Sequence, residues 1–207
     1  LLCKLLTFLI RYLKMEKELK YIDLVEQPIS MHPKKFALWL FMVTVVMIFA
    51  ALTSAYIVRQ AEGNWLEYDL PQVFWFTSGV VVLSSLFLHW AYISAKKDNL
   101  SQLRIGMSMA VLLGIVFLVG QWYSWVALVD RQVFFVGNPS GSFLYVFTGL
   151  HAVHLISGVI FLIIVLISSF RYKVHSQAMN TMEMATSYWH FLGGLWIYLF
   201  MFLLLNH

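Results

Sequence analysis

Five stretches of this 207-residue chain each run for more than 20 residues without a single Asp, Glu, Lys or Arg. A helix needs about 20 apolar residues to cross the hydrocarbon core of a bilayer. Runs of this length without a two-residue alternation favour helices over the strands of a barrel. The sequence therefore predicts an all-α membrane bundle of five transmembrane helices. The predicted spans are residues 36–58, 73–94, 105–129, 143–170 and 184–205.

The composition of the chain agrees with a protein that is solvated by lipid. Hydrophobic residues make up 61% of the chain and charged residues 12%, whereas soluble domains have about 45–50% and about 25%. This excludes an ordinary soluble enzyme. The single cysteine, Cys3, excludes an intrachain disulfide and a cysteine-ligated cluster. The loops between the spans are 10 to 14 residues long, too short to hold a soluble domain.

The distribution of Lys and Arg predicts the orientation of the bundle, because these residues concentrate in cytoplasmic segments. Twelve of the 14 basic residues lie in the segments on the side of the N-terminus, and the other side has only Arg59 and Arg131. The sequence thus predicts a cytoplasmic N-terminus and a periplasmic C-terminus. The formal charge of +4 reflects this asymmetry and does not indicate nucleic-acid binding.

The chain divides by hydropathy into a cytoplasmic or interfacial N-terminal segment, residues 1–31, and a five-helix membrane domain, residues 32–207. Within residues 1–14 the polar side chains recur at helical spacing, which predicts an amphipathic helix in the membrane interface. The alternatives are a trimmed leader or an upstream start site, with Met15 as the real beginning. The polar stripe consists of Lys4, Thr7, Arg11 and Lys14.

Four histidines lie inside the predicted spans, where ionisable groups are costly and therefore candidates for function. His89 and His190 lie at similar depths in the second and fifth spans and could ligate one haem iron. His151 and His154 lie three residues apart on one helical face, which suits a metal ion or a proton path. The alternative that spacing alone favours is a neutral imidazole that hydrogen-bonds across helices.

Small residues in the last two spans predict close helix packing. Gly158 lies on the same face as His151 and His154, and Gly193 and Gly194 are adjacent in the fifth span. Glycine at such positions lets two helix backbones approach closely.

Two motifs in the last two spans resemble a known family. Residues 148–158 read TGLHAVHLISG, and residues 183–196 contain E-x4-YWHF-x4-W. In this order and spacing they resemble subunit III of the haem–copper respiratory oxidases, whose last two helices carry TGxHxxHxxxG and E-x4-YWHF-x4-W. The resemblance covers residues 32–207, and five helices match the shorter bacterial form of the subunit.

The resemblance implies the non-catalytic subunit III of a bacterial cytochrome c oxidase, in the aerobic electron transport chain of the inner membrane. Haem and copper then belong to partner subunits, and this chain carries no catalytic, cofactor or metal residue. Subunit I is the implied main contact, with subunits II and IV, a supercomplex with a quinol-oxidising complex, and membrane lipids as further partners.

The implied role is to support the stability and proton uptake of the proton-translocating oxidase and to bind phospholipid. The residues that the resemblance assigns to structural, interhelical or lipid contacts are His151, His154, Gly158, Glu183, Tyr188, Trp189, His190 and Trp196.

The chain departs from the family pattern at three acidic positions. Val45 stands where the first of these helices usually has a buried Glu, Ser124 replaces the acid of a Q-x-x-E-W motif, and Gly193 stands where some members have Asp. Glu183 alone remains, which favours a structural, lipid-binding role over direct proton relay. The alternatives are subunit III of a quinol oxidase or nitric oxide reductase and, more distantly, a di-histidine haem membrane anchor.

Overall fold

Five long helices account for most of the part of the chain that the computed structural model describes, which comprises residues 14, 33–66, 68, 70–171 and 179–206. No strand occurs among these residues, and all five helices are long and apolar enough to cross a bilayer. The all-α, five-helix prediction is therefore confirmed. The helices are α1 (Pro33–Ala61), α2 (Val73–Lys96), α3 (Leu100–Asp130), α4 (Pro139–Phe170) and α5 (Asn180–Asn206).

The helices extend beyond the predicted uncharged runs because polar interfacial residues also take helical conformation. The side chain of Asn99 accepts a hydrogen bond from the Gln102 N–H at 3.3 Å, which caps α3. The side chain of Asn138 accepts one from the Ser140 N–H at 2.9 Å, and Pro139 occupies the first turn of α4. Such caps satisfy the free N–H groups of a helix start.

The predicted interfacial helix over residues 1–14 lies outside the described residues, apart from Lys14. The chain separates into two units, Leu1–Ala37 and Leu38–His207. The first unit contains the start of α1. The second unit contains the rest of α1 and all of α2 to α5.

Helices α2 to α5 form a closed ring of four. The helix α2 packs against α3 and α5, and α4 packs against the same two neighbours. Side chains from all four helices fill the centre of the ring, and the largest of them are the fully buried Trp189 and Trp196. This four-helix bundle is the scaffold that positions the motif residues.

Residues 38–61 of α1 stand off from this bundle. Among the described residues, no Cα of this segment lies within 8 Å of a Cα in another helix. The helix nevertheless buries one stripe of side chains, which approaches α4 and α5 through aromatic rings. The ring centre of Tyr56, for example, lies 5.2 Å from that of Phe202. The buried stripe consists of Met42, Val45, Phe49, Thr53 and Tyr56.

Candidate functional site

Trp189 lies at the centre of the four-helix bundle and joins three of its helices. Its side chain is buried, and the indole N–H donates a hydrogen bond to the Ser84 hydroxyl at 3.1 Å. The Ser84 hydroxyl in turn donates to the Ala110 carbonyl at 3.0 Å. A Cβ atom on Gly114 would lie only 2.6 Å from the indole Cη2. The indole therefore fits a slot that only glycine leaves open.

Trp196 repeats this arrangement two turns further along α5. Its indole N–H donates to the Ser78 hydroxyl at 3.0 Å, and that hydroxyl donates to the Phe74 carbonyl at 2.7 Å. The indole stacks on the Phe74 ring at 5.8 Å and meets the edge of Phe117 at 4.9 Å. Each tryptophan of the motif thus ties α5 to a serine of α2.

His151 packs in the aromatic layer around Trp196. It is fully buried, and its ring centre lies 5.2 Å from Trp196, 6.0 Å from Phe117 and 6.5 Å from Phe49. Neither ring nitrogen forms a hydrogen bond within the described chain. The aromatic neighbours offer no acceptor, so His151 contributes ring packing between helices instead of the hydrogen bond that its position suggested.

His154 forms its side-chain hydrogen bond within its own helix. Its Nδ1 lies 2.8 Å from the Leu150 carbonyl, and because a carbonyl can only accept, Nδ1 carries the proton. The interhelical bond at this level comes from Tyr188, whose hydroxyl lies 2.8 Å from that of Ser157. His154 bonds within its own helix because Leu150 lies one turn earlier in α4, which places its carbonyl within reach of the imidazole.

The glycines of the last two spans differ in their surroundings. A Cβ on Gly158 would lie 2.8 Å from Leu192, and a Cβ on Gly193 would lie 3.3 Å from the Ser85 hydroxyl, so both permit close packing. A Cβ on Gly194 would meet nothing within 4 Å. Gly194 therefore packs closely against no other described helix, because it lies one residue further along α5 and faces outward.

His190 and Glu183 each lie near a side chain of α2. The ring of His190 lies 6.0 Å from that of His89, in a groove of about 380 Å³ between α2 and α5. Glu183 lies in the first turn of α5, where the Tyr92 hydroxyl donates to its carboxylate at 3.5 Å. The structure therefore separates the predicted site into a buried aromatic network and a polar strip along the α2–α5 face.

The described part of the chain offers little to hold a metal or haem. Nowhere in it do three side chains among His, Cys, Asp and Glu come together as metal ligands. A haem between His89 and His190 would need its porphyrin plane to pass between the two rings. The helices α2 and α5 pack directly one turn away, where Gly193 meets Ser85. This approach of the two helices narrows the groove next to the histidine pair.

No carboxylate is among the fully buried side chains of the described segments. Val45 occupies the core with 1% of its surface exposed. Ser124 is fully buried, and its hydroxyl donates to the Gly120 carbonyl of its own helix at 2.9 Å. The two positions where the family usually carries an acid are thus filled by an aliphatic and by a locally satisfied hydroxyl.

The reasoning from sequence missed the partners of the two tryptophans. Ser78 and Ser84 lie six residues apart in α2, and the only available signal was their polarity within an apolar span, where hydroxyls often bond across helices. The sequence also does not show the bond of Gln121, the first residue of the Q-x-x-E-W motif, which is buried and donates to the Thr77 hydroxyl at 3.3 Å. A glutamine in the interior of a span carries the same signal.

Two grooves flank α1 because that helix stands off from the bundle. The groove between α1 and α5 has a volume of about 410 Å³ and apolar walls that include Val46 and Leu195. The groove between α1 and the start of α4 has a volume of about 920 Å³, with the Arg59–Glu62 ion pair and Asn138 in its lining. The α1–α5 groove has a lining suited to an acyl chain. The groove at the start of α4 has both apolar and charged residues in its lining.

Comparison with known proteins identifies relatives over most of the chain. A family model described as cytochrome c oxidase subunit III matches residues 68–206. A cytochrome c oxidase subunit 3 from Corynebacterium diphtheriae is 28% identical, over 75% of this chain and 79% of the relative. Probable cytochrome c oxidase subunit 3 from Nocardia farcinica is 30% identical, over the same shares. Cytochrome c oxidase subunit 3 from Synechocystis sp. is 30% identical, over 82% of this chain and 75% of the relative.

Proposed function

The chain belongs to the cytochrome c oxidase subunit III family, and we propose that it acts without redox chemistry, as a structural and lipid-binding subunit of a bacterial enzyme. The family assignment makes it a multi-pass membrane subunit of a haem–copper oxidase in the respiratory chain. The proposal adds what it does there: it stabilises subunit I and supports its proton uptake. Subunit II, a fourth subunit and a supercomplex with a quinol-oxidising complex are the further proposed partners.

The observation that carries this proposal is the use of the motif side chains inside the bundle. The indole N–H groups of Trp189 and Trp196 donate hydrogen bonds to serines of α2, and the Tyr188 hydroxyl bonds to that of Ser157. Their polar atoms are directed at other helices of the same chain. The motif therefore fixes the bundle and leaves the reacting centre to partner subunits.

The missing buried acids support assistance to proton uptake over direct proton transfer. A relay through a membrane protein uses chains of ionisable side chains, and two buried positions, Val45 of α1 and Ser124 of α3, break that pattern. Stabilising the surroundings of subunit I requires no such chain. We therefore assign the support of proton uptake to packing and lipid contacts.

Phospholipid binding is proposed for the grooves that flank α1. The apolar groove beside Val46 and Leu195 offers a path for an acyl chain. The groove that includes Asn138 offers an amide and the Arg59–Glu62 ion pair for contacts with a headgroup. An acyl chain in the bilayer already lies in hydrocarbon, so van der Waals packing in the groove and headgroup contacts would hold the lipid.

The electron donor is proposed to be cytochrome c, because the relatives reported above carry that donor in their names. A quinol oxidase or a nitric oxide reductase differs in the other subunits. Tagging this chain and purifying it in mild detergent should bring down subunits I and II with haem and copper absorbance. A subunit II without copper would contradict this proposal and indicate an electron donor other than cytochrome c.

The same preparation tests the non-catalytic role. After separation from its partners, this chain should show no haem absorbance. Retention of a haem by the isolated chain would overturn the proposal and favour the di-histidine anchor.

The orientation is proposed from the asymmetry in Lys and Arg. The bacterial inner membrane is the proposed location, with a cytoplasmic N-terminus. A reporter fused after His207 should be active in the periplasm, and one inserted between Lys97 and Arg104 should be active in the cytoplasm. The opposite pattern would reverse the assignment.

A further inference from the structure

The groove between α2 and α5 contains two histidine side chains that face outward from the bundle. His89 is exposed, His190 is half-buried, and their ring centres lie 6.0 Å apart. Among the described residues no hydrogen bond involves either imidazole, and the ring contacts of the pair are with each other and, for His89, with Tyr92. Two polar rings thus lie side by side with hydrogen-bonding capacity unused.

This pair lies below the level of lipid headgroups. His89 is seven residues from Lys96, the end of α2, which is roughly 10 Å at 1.5 Å per residue. His190 is ten residues from Asn180, the start of α5, or roughly 15 Å. A helix of 24 residues exceeds the hydrocarbon core of about 30 Å by only about 3 Å at each end. Both rings therefore lie at the depth of acyl chains.

An acyl chain is a poor occupant for this groove. Hydrocarbon offers no hydrogen bond, and polar groups inside a membrane face protein or water-filled cavities as a rule. Tyr92 and Glu183, which lie closer to the helix ends, already bond to each other. The occupant must therefore bring its own polar group to the level of the two histidines.

The floor of the groove is formed by small residues. Ser85, Gly193 and Gly194 line it, and a Cβ on Gly194 would meet nothing within 4 Å. Small residues together with hydrogen-bonding side chains are the features that distinguish helix–helix contacts in membranes from lipid-facing surface. By contrast, the groove between α1 and α5 has apolar walls and no histidine.

We propose that the α2–α5 groove docks a transmembrane helix of another oxidase subunit, and that this helix presents a hydrogen-bond acceptor to His89 and His190. A neutral imidazole has one N–H donor, so two adjacent rings supply two donors to one acceptor group. A carboxylate fits best, since its two oxygens accept both bonds. The proposal rests on membership of the oxidase complex and names the face through which this chain joins it.

A photo-crosslinking amino acid at Leu86, an exposed residue of the groove wall, tests the occupant in the assembled oxidase. Irradiation should join this chain to a different oxidase subunit. An adduct with lipid alone, or with a second copy of this chain, would overturn the proposal. If the tagged chain brings down no oxidase subunit at all, the proposed function itself fails, which is a distinct result.

Substitutions of the pair test the hydrogen bonds. His89→Phe and His190→Phe should each lower the crosslinked fraction about threefold, the effect of one interhelical bond in a membrane. His190→Gln keeps a donor and should retain most of the yield. Trp90→Leu changes an exposed residue next to the pair and is the matched control, with no expected change. Equal yields in the wild type and both Phe variants would contradict the assigned role of the histidines.

Discussion

The first helix and the four-helix bundle are held by different means. Inside the bundle, glycines such as Gly114 and Gly158 let tryptophan and leucine side chains reach the facing helix. Along residues 38–61 of α1, the large rings of Phe49 and Tyr56 keep the backbones apart. The bundle is a close fit of small and large residues, whereas α1 contacts it through buried side chains and without a close approach of the backbones.

This difference has a consequence for lipid binding. Close packing fills the interior of the bundle, and the two grooves proposed to bind lipid, of about 410 and 920 Å³, both lie beside α1. Hydrogen bonds fix α1 at its end, where the Tyr56 hydroxyl donates to the Asn206 carbonyl at 2.7 Å and Gln60 donates to the same oxygen at 3.0 Å. We expect the bundle to tolerate few changes and α1 to exchange protein contacts for lipid contacts.

The largest effect is expected at Gly114. Gly114→Leu would place a side chain where the indole of Trp189 lies, since even a Cβ would approach it to 2.6 Å. Overpacking a core typically costs about 1–3 kcal/mol, and more where neighbours cannot move. We expect a loss above about 3 kcal/mol in the free energy of unfolding, measured in mixed detergent micelles.

Gly194→Ala is the matched control for that variant. Its new methyl group meets nothing within 4 Å, and alanine is favoured over glycine in a helix by about 1 kcal/mol. Its stability should equal or exceed that of the wild type. If Gly114→Leu were as stable as this control, the close fit of the bundle would be disproved.

A smaller effect is expected from Trp189→Phe, which removes the N–H that bonds to Ser84 and leaves a small cavity. One interhelical hydrogen bond in a membrane contributes about 0.6–2 kcal/mol, so we expect a total loss of about 1–3 kcal/mol. A double-mutant cycle with Ser84→Ala should give a positive coupling energy. Strict additivity of the two losses would show that the bond contributes nothing.

On α1, Phe49→Ala should cost less than its volume suggests. Truncating a buried Phe usually costs about 3–5 kcal/mol, but here a lipid chain can enter from the adjoining groove, which Phe49 itself lines. We expect a loss of about 1–2 kcal/mol and a change in bound lipid by native mass spectrometry. Met47→Ala alters an exposed residue of the same helix and should change neither. A loss of about 3–5 kcal/mol in the free energy of unfolding would contradict this, because it would show that lipid does not fill the space left by Phe49.

The smallest effect is expected from His154→Leu. Its ring bonds to the Leu150 carbonyl of its own helix, so its loss leaves the interhelical bond between Tyr188 and Ser157 in place. The free energy of unfolding should fall by about 0.5–1 kcal/mol at most. A drop as large as that of Trp189→Phe would mean that His154 links helices directly.

The sequence was sufficient to predict the five helices of this fold. It was insufficient to predict which side chains each helix turns toward its neighbours. Hydropathy placed all five spans inside the observed helices, because length and lack of charge decide whether a segment crosses a bilayer. It did not distinguish Gly193 from Gly194, since adjacent residues on a helix point about 100° apart and both carry the same local pattern. Nor did it show that His151 would be enclosed by aromatic rings, which depends on residues of three helices distant in sequence.

We propose that this chain supports an oxidase without contributing to its redox chemistry. The most direct measurement compares the purified oxidase with and without this chain, for haem content per subunit I and for turnover over time. We predict the same haem content and a near-normal initial turnover, followed by a faster decay of activity in the complex that lacks the chain. A missing haem signal, or an immediate and near-complete loss of initial turnover, would contradict the account.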